Sequence, residues 1–307
     1  MPFTLSHAAA VLPVVRRTGA ARGPLVASAL VAGSFAPDVT YYADSMVPGG
    51  MAFGAFTHAL WGVLTVDVVV TVALVAGWLW VREPLLALLP RAWRGRVGAL
   101  LRGRPWRPRG AGGVAALVGW FVVSAVLGSA THVVWDAFTH AGRWGTRLVP
   151  GLGGVVAGVP VAAYVQYGTS AVALGALGWF VGSALRGGRA GGGAPVGVSG
   201  PGAVPSLTVG VRLLLTVPVG LCVLLGAVQR VVRAYGEYGG AVGWFSYLPT
   251  ALFGAGAGLG VGLLLYGAAV RLLVWRAGRG RCAAGVAVGS SAAGAAAGAS
   301  AVSSTAD

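Results

Sequence analysis

Residues 112–140 read GGVAALVGWFVVSAVLGSATHVVWDAFTH. From Gly112 to Thr131 no side chain is ionisable. Twenty such residues, at 1.5 Å of helical rise each, match the roughly 30 Å hydrocarbon core of a bilayer. The stretch then ends on His132, Asp136 and His140, three ionisable groups spaced by four residues. A membrane-crossing helix with a polar tip is the first reading, and the rest of the chain follows it.

Of the 307 residues, 56% are hydrophobic and only 9% are charged, and the mean hydropathy is +0.80. Soluble domains carry about 25% charged residues, so a soluble fold is excluded. A closed β-barrel would need short alternating segments, which the sequence lacks. The fold class is therefore all-α, a polytopic transmembrane helical bundle. About five full spans are expected, over residues 58–81, 112–135, 161–185, 207–228 and 245–275. Ahead of them, 3–15 and 25–35 are apolar but short. The second is stopped by Ala36-Pro37-Asp38, since a residue before proline avoids the helical region. They read as a short helical hairpin, either re-entrant and packed against protein or lying on the surface.

The organisation that follows is a membrane domain over 1–185, a Gly/Pro-rich basic loop over 186–206, two further helices over 207–282, and an Ala/Gly/Ser-rich tail over 283–307 with the composition of disorder. The glycine runs RAGGGAPVGVSGPG (189–202) and GAGAGLGVG (254–262) follow no strand and are not phosphate loops. Cys222 and Cys282 show no pairing or metal-binding spacing, and the opening residues lack the basic start of a secretory signal.

The net charge is +15. A basic balance can signal nucleic acid, but these arginines sit between apolar runs, as the positive-inside rule requires. Eight lie in residues 82–110, and others in 186–206 and 276–282. All three loops are expected on the cytoplasmic face, with membrane lipids and not nucleic acid as the partner. Arg230 and Arg233 dissent, since alternation puts them on the opposite face.

That alternation also gathers His58, His132 and His140 at one end of the bundle, and His7 joins them if the hairpin enters from that face with Arg16 and Arg17 at its inner turn. His58 opens a span, His132 and His140 close another, and His7 and Asp38 belong to the two open ends of the hairpin. An ionisable group inside a membrane segment is costly unless it is paired or coordinated. Each histidine alone could be an interfacial anchor, but the set reads as a metal or catalytic cluster. His132 and Asp136, one turn apart, can chelate one ion at the roughly 2.0–2.2 Å that zinc requires. His140 lies two turns from His132, so Asp136 bridges two ions, the helix ends before His140, or His140 has another role. The candidate ligands for a divalent ion, zinc first, are His7, Asp38, His58, His132, Asp136 and His140. Arg143 and Gln166 are candidate contacts to an anionic substrate. Asp67, inside a span, is expected to pair with Arg212 or a threonine hydroxyl.

Four segments in this order, MPFTLSHAAAVLP (1–13), VAGSFAPDVTYY (31–42), THALWG (57–62) and SATHVVWDAFTH (129–140), resemble the DUF4184 family of bacterial polytopic membrane proteins. The resemblance covers residues 1 to about 180 and implies a bacterial inner-membrane location. The order of the six candidate ligands is also similar to that of zinc-dependent phospholipase C, P1 nuclease and membrane metal-dependent hydrolases. This second resemblance implies Asp38, His58, His132 and Asp136 on one ion, with His7 and Asp136 helping a second. Those soluble enzymes add a His-x-x-x-Glu pair, for which this chain has no histidine left. Two functional expectations result: a metal-dependent hydrolase of a phosphoester or lipid, or a non-enzymatic protein whose cluster is a structural metal site or handles ions or protons.

Overall fold

The computed structural model describes residues 4–187, 207–239 and 247–302, with side chains described through 276. The chain opens with a 3-10 helix, Thr4–Val14. Short helices follow: α1 Ala27–Gly33, α2 Val39–Ala43, α3 Gly54–Thr57 and α4 Leu60–Leu64. The first long helix is α5, Val66–Leu88; then come α6 Arg91–Arg102, α7 Gly110–Thr139 and α8 Trp144–Leu148. A two-strand hairpin, β1 Val155–Val156 with β2 Val159–Pro160, leads into α9 Val161–Gly187, α10 Val209–Tyr238 and α11 Tyr247–Val302. Among the described residues five helices are long and apolar enough to cross a bilayer. The protein is a multi-pass membrane protein with an all-α fold.

The hairpin packs into the bundle. Eleven residues of 3-10 helix, at about 2.0 Å of rise each, cover roughly 20 Å, more than the same residues would cover as α-helix. The chain then turns at residues 16–20, where Val15 and Ala21 form an isolated antiparallel bridge. Gly19 makes this turn possible. It has φ +78°, and a Cβ there would fall 1.8 Å from the Leu100 carbonyl oxygen. The tip thus rests on the end of α6, and Arg17 lies 5.2 Å over the Trp179 ring. From there α1 runs back beside α7. Gly33 and Gly128 let the two backbones touch: a Cβ on Gly128 would sit 2.3 Å from the Leu30 carbonyl oxygen. Ser124 accepts a hydrogen bond from the Val26 N–H at 2.9 Å, and Ser129 donates to the Gly33 carbonyl at 3.0 Å. The hairpin descends from His7 and returns at Asp38, so its two open ends meet at the tip of α7.

Two expectations change. The span expected over 58–81 begins at Val66, because Ala59 is extended and Thr65 non-helical on either side of the single turn α4. Arg212 lies at the far end from Asp67, with its Nη1 3.5 Å from the Leu88 carbonyl. Among the described residues neither Asp67 oxygen has a hydrogen-bond partner, and Thr71 donates to the Asp67 carbonyl instead. The loop over 188–206 and residues 303–307 of the expected tail lie outside the described residues, as does the side chain of Cys282, while helix α11 continues through residues 283–302.

The glycines of 254–262 pack helices. Gly254, Gly258 and Gly262 recur every four residues along α11, and a Cβ on Gly258 would come 2.0 Å from the Cys222 carbonyl oxygen of α10. This is the small-residue seam by which membrane helices approach closely. The dissenting Arg230 and Arg233 are also explained. Both reach the Asp44 carboxylate, Arg233 at 2.8 Å, so they tie α10 to the loop after α2.

Replacing Gly128 by Val should force α1 from α7 and cost about 1–3 kcal/mol, as overpacking does. Gly119→Ala, on the same helix with open space around it, should not lower stability. Thermal unfolding in detergent compares the two; equal midpoints would contradict the packing described here.

Candidate metal centre

Four side chains converge at the tip of α7. One ligand atom each from Asp38, His58, His132 and Asp136 lies within 4.8 Å of all the others. The cross distances are nearly uniform. His58 Nε2 is 3.5 Å from Asp38 Oδ1 and 3.5 Å from Asp136 Oδ2. His132 Nε2 is 3.4 Å and 3.6 Å from the same two oxygens. Hydrogen bonds between nitrogen and oxygen cluster at about 2.7–3.2 Å, so these are too long. A tetrahedral ion with bonds of about 2.0–2.2 Å has ligand-to-ligand edges of about 3.3–3.6 Å. The four nitrogen-to-oxygen distances have that spacing.

The surroundings aim the ligands. His132 Nδ1 lies 2.7 Å from the Ser34 carbonyl and His58 Nδ1 lies 2.8 Å from the Gly54 carbonyl. A carbonyl only accepts, so each Nδ1 carries the hydrogen and each Nε2 turns its lone pair to the centre. The Thr4 hydroxyl donates to Asp38 Oδ2 at 2.5 Å and accepts from the Tyr42 hydroxyl at 3.0 Å. Asp38 Oδ1 is left facing inward. His58 Nε2, His132 Nε2 and Asp38 Oδ1 are buried and make no hydrogen bond. Asp38 would bind a metal as its carboxylate anion.

His7 makes a second, smaller feature. Its ring stacks on His132 with centroids 3.8 Å apart, and Nε2 lies 3.4 Å from Asp136 Oδ1, the oxygen that does not face the first centre. Both His7 nitrogens and Asp136 Oδ1 are buried without hydrogen-bond partners. Burial pushes the His7 pKa down to about 3, so its imidazole is neutral.

The remaining candidates surround this core. Helix α7 ends at Thr139, and His140 caps it with extended backbone, so the helix does stop before His140. Its Nδ1 lies 3.1 Å from the Asp136 carbonyl and 3.7 Å from Asp136 Oδ2, outside the group of four. The Arg143 guanidinium lies beside the Tyr41 hydroxyl, and the Tyr41 ring is 5.8 Å from that of His58. Gln166 lies on α9 one turn before Ser170, whose hydroxyl meets that of Ser6 at 3.4 Å. Asp67 stays separate. Thr4, Tyr42 and the carbonyls of Ser34 and Gly54 escape a reading of ionisable residues, because their roles come from backbone position and hydroxyl reach.

A family model, the domain of unknown function DUF4184, matches residues 1–268. The chain belongs to the DUF4184 family. The match runs well past the 180 residues whose motifs resemble it, and so includes the clasp at Asp44 and most of the α10–α11 pair. No curated protein and no solved structure matches this DUF4184 chain.

The donor set is able to hold a divalent ion. Removing a partner that orients a ligand typically costs about 10–100-fold in metal affinity. Thr4→Val should weaken zinc binding within that range while leaving the protein folded, and Tyr42→Phe should weaken it less. Competition with a chromophoric chelator measures both, and affinity unchanged in Thr4→Val would contradict the role given to Thr4.

Proposed function

We propose that the protein is a membrane-embedded, metal-dependent hydrolase of phosphoester or lipid substrates, with zinc the ion that best suits its donors. The observation that carries this reading is His7. A purely structural ion needs its four ligands and nothing more, and structural zinc sites are usually built with cysteine thiolates. Here two imidazoles and two carboxylates converge with no sulfur, and a third, neutral imidazole is buried beside them with no hydrogen-bond partner. Hydrogen-bonding capacity left unmet in the interior is costly, and a reacting water or substrate oxygen would satisfy it.

A divalent ion there would polarise a phosphoryl oxygen and supply hydroxide near neutral pH. The chain's own groups do the rest. Asp38, His58, His132 and Asp136 would hold the ion, and His7 Nε2 with Asp136 Oδ1 would orient a water or help a second ion. Arg143, beside Tyr41, takes an anionic substrate group, and Gln166 lines the approach from α9. The basic loops lie in the cytoplasm by the positive-inside rule, which puts the centre at the outer face of a bacterial inner membrane.

A second reading has its own support. Four protein ligands, all at most 7% exposed, make a closed shell, and closed shells favour a structural or ion-handling role. Turnover separates the two. Zinc-loaded protein in vesicles should release phosphate or headgroup from phosphatidic acid, phosphatidylglycerol or bis-p-nitrophenyl phosphate. His7→Ala should keep the ion of the four-ligand centre and lose about 100-fold or more in rate, the scale of removing one positioned catalytic group. Wild-type turnover no higher than that of His132→Ala on every substrate would overturn the hydrolase in favour of the closed-site reading.

A further inference from the structure

A groove of about 560 Å³ runs along the outside of the bundle between the 3-10 helix and α9. Its walls include Ala9, Ala10, Trp135, Gly168, Val172 and Ala176. The polar groups at its wall are already paired, since Trp135 Nε1–H donates to the Thr169 hydroxyl at 3.2 Å and that hydroxyl donates to the Val165 carbonyl at 2.7 Å. Nothing on the wall calls for a polar ligand.

The groove's position identifies its occupant. It follows α9 from Val165 to Ala176, about 16 Å at helical rise. One leaflet of the hydrocarbon core is about 15 Å deep. At its upper end Trp135 meets His7 edge-on, with centroids 5.4 Å apart, and the next residue is the ligand Asp136. The wall is alanine, valine and glycine around Trp135 with no unmet polar group, and its length is that of one hydrocarbon chain crossing a leaflet.

We propose that this groove seats one acyl chain of a lipid drawn from the leaflet at the centre's end of the bundle, with the phosphate-bearing headgroup of that lipid delivered past Trp135 to the cluster. The headgroup half rests on the metal-hydrolase reading and narrows its substrate to a membrane lipid. The acyl half rests on the groove alone. Gly168 is the natural place to block it: the residue is on the wall, and a Cβ there would meet nothing within 4 Å, so a larger side chain projects into the groove without disturbing the bundle.

The test uses the full chain in phosphatidylcholine nanodiscs doped with phosphatidylglycerol that carries a photoactivatable diazirine at the end of one acyl chain. Cross-linked peptides are mapped by mass spectrometry, and metal content is measured on the same samples. The expected result is several-fold more labelling on residues 4–14 and 165–176 than on the exposed apolar face of α10. Gly168→Phe, or Ala176→Phe should the first fail to fold, should remove that excess with metal content unchanged. Labelling that is even across all spans, an annular lipid only, overturns the proposal, as does an excess that survives both blocking variants. Metal without excess labelling removes the acyl seat and leaves the metal centre intact; excess labelling without metal does the reverse.

Discussion

Two carboxylates and two imidazoles face one another across 3.4–3.6 Å at the tip of α7, out of reach of water and too far apart to hydrogen-bond. Burying an unpaired carboxylate costs several kcal/mol or more, and a second one beside it compounds the penalty. A divalent cation between them relieves that cost, and the rest of the architecture serves this point. The hairpin descends and returns to bring His7 and Asp38 to the same level. Helices α1 and α7 touch through glycines, so that the Ser34 carbonyl meets His132. The break between α3 and α5 turns His58 toward Gly54 in place of simply extending a span.

The C-terminal helix pair bears on the same point. Helix α11 lays Phe253 against Tyr41 and Tyr42 with centroids 5.6 and 5.3 Å apart. Tyr42 in turn donates to Thr4, which donates to Asp38. A continuous set of contacts therefore leads from lipid-facing helices to the carboxylate of one ligand, Asp38. Arg230 and Arg233, anchored on Asp44, hold α10 to the same segment. The family match across these helices fits a single unit in which the last two spans brace the segment that carries Asp38 and Tyr42.

Much of this architecture is legible from residue type and order. The five spans follow from hydropathy, because lipid demands unbroken apolar length. The grouping of the histidines at one end follows from span alternation together with a hairpin that enters from the same face, and the i, i+4 spacing of His132 and Asp136 by itself places both on one face of a helix. What stays hidden depends on irregular backbone. Residues 58–65 read as the start of a span, yet Ala59 and Thr65 leave the helix, because His58 must reach sideways to Asp38. The glycines at 254–262 carry no evident role in the sequence; the approach of α10 gives them one. The pairing expected for Asp67 fails because Arg212 belongs to the opposite end, a distance that composition does not encode.

The most direct test of the central claim is metal content by mass spectrometry on protein purified in detergent without chelators, with zinc re-added. The wild type is set beside His132→Ala, Asp136→Asn and His140→Ala, each checked for folding by circular dichroism. The account predicts one or two zinc-like ions per chain in the wild type, loss of the ion at the four-ligand centre in the first two variants, and retention there in His140→Ala, whose ring lies outside the group of four. A well-folded wild type that binds no zinc or manganese would contradict it, leaving the cluster as a polar helix end that holds the bundle together.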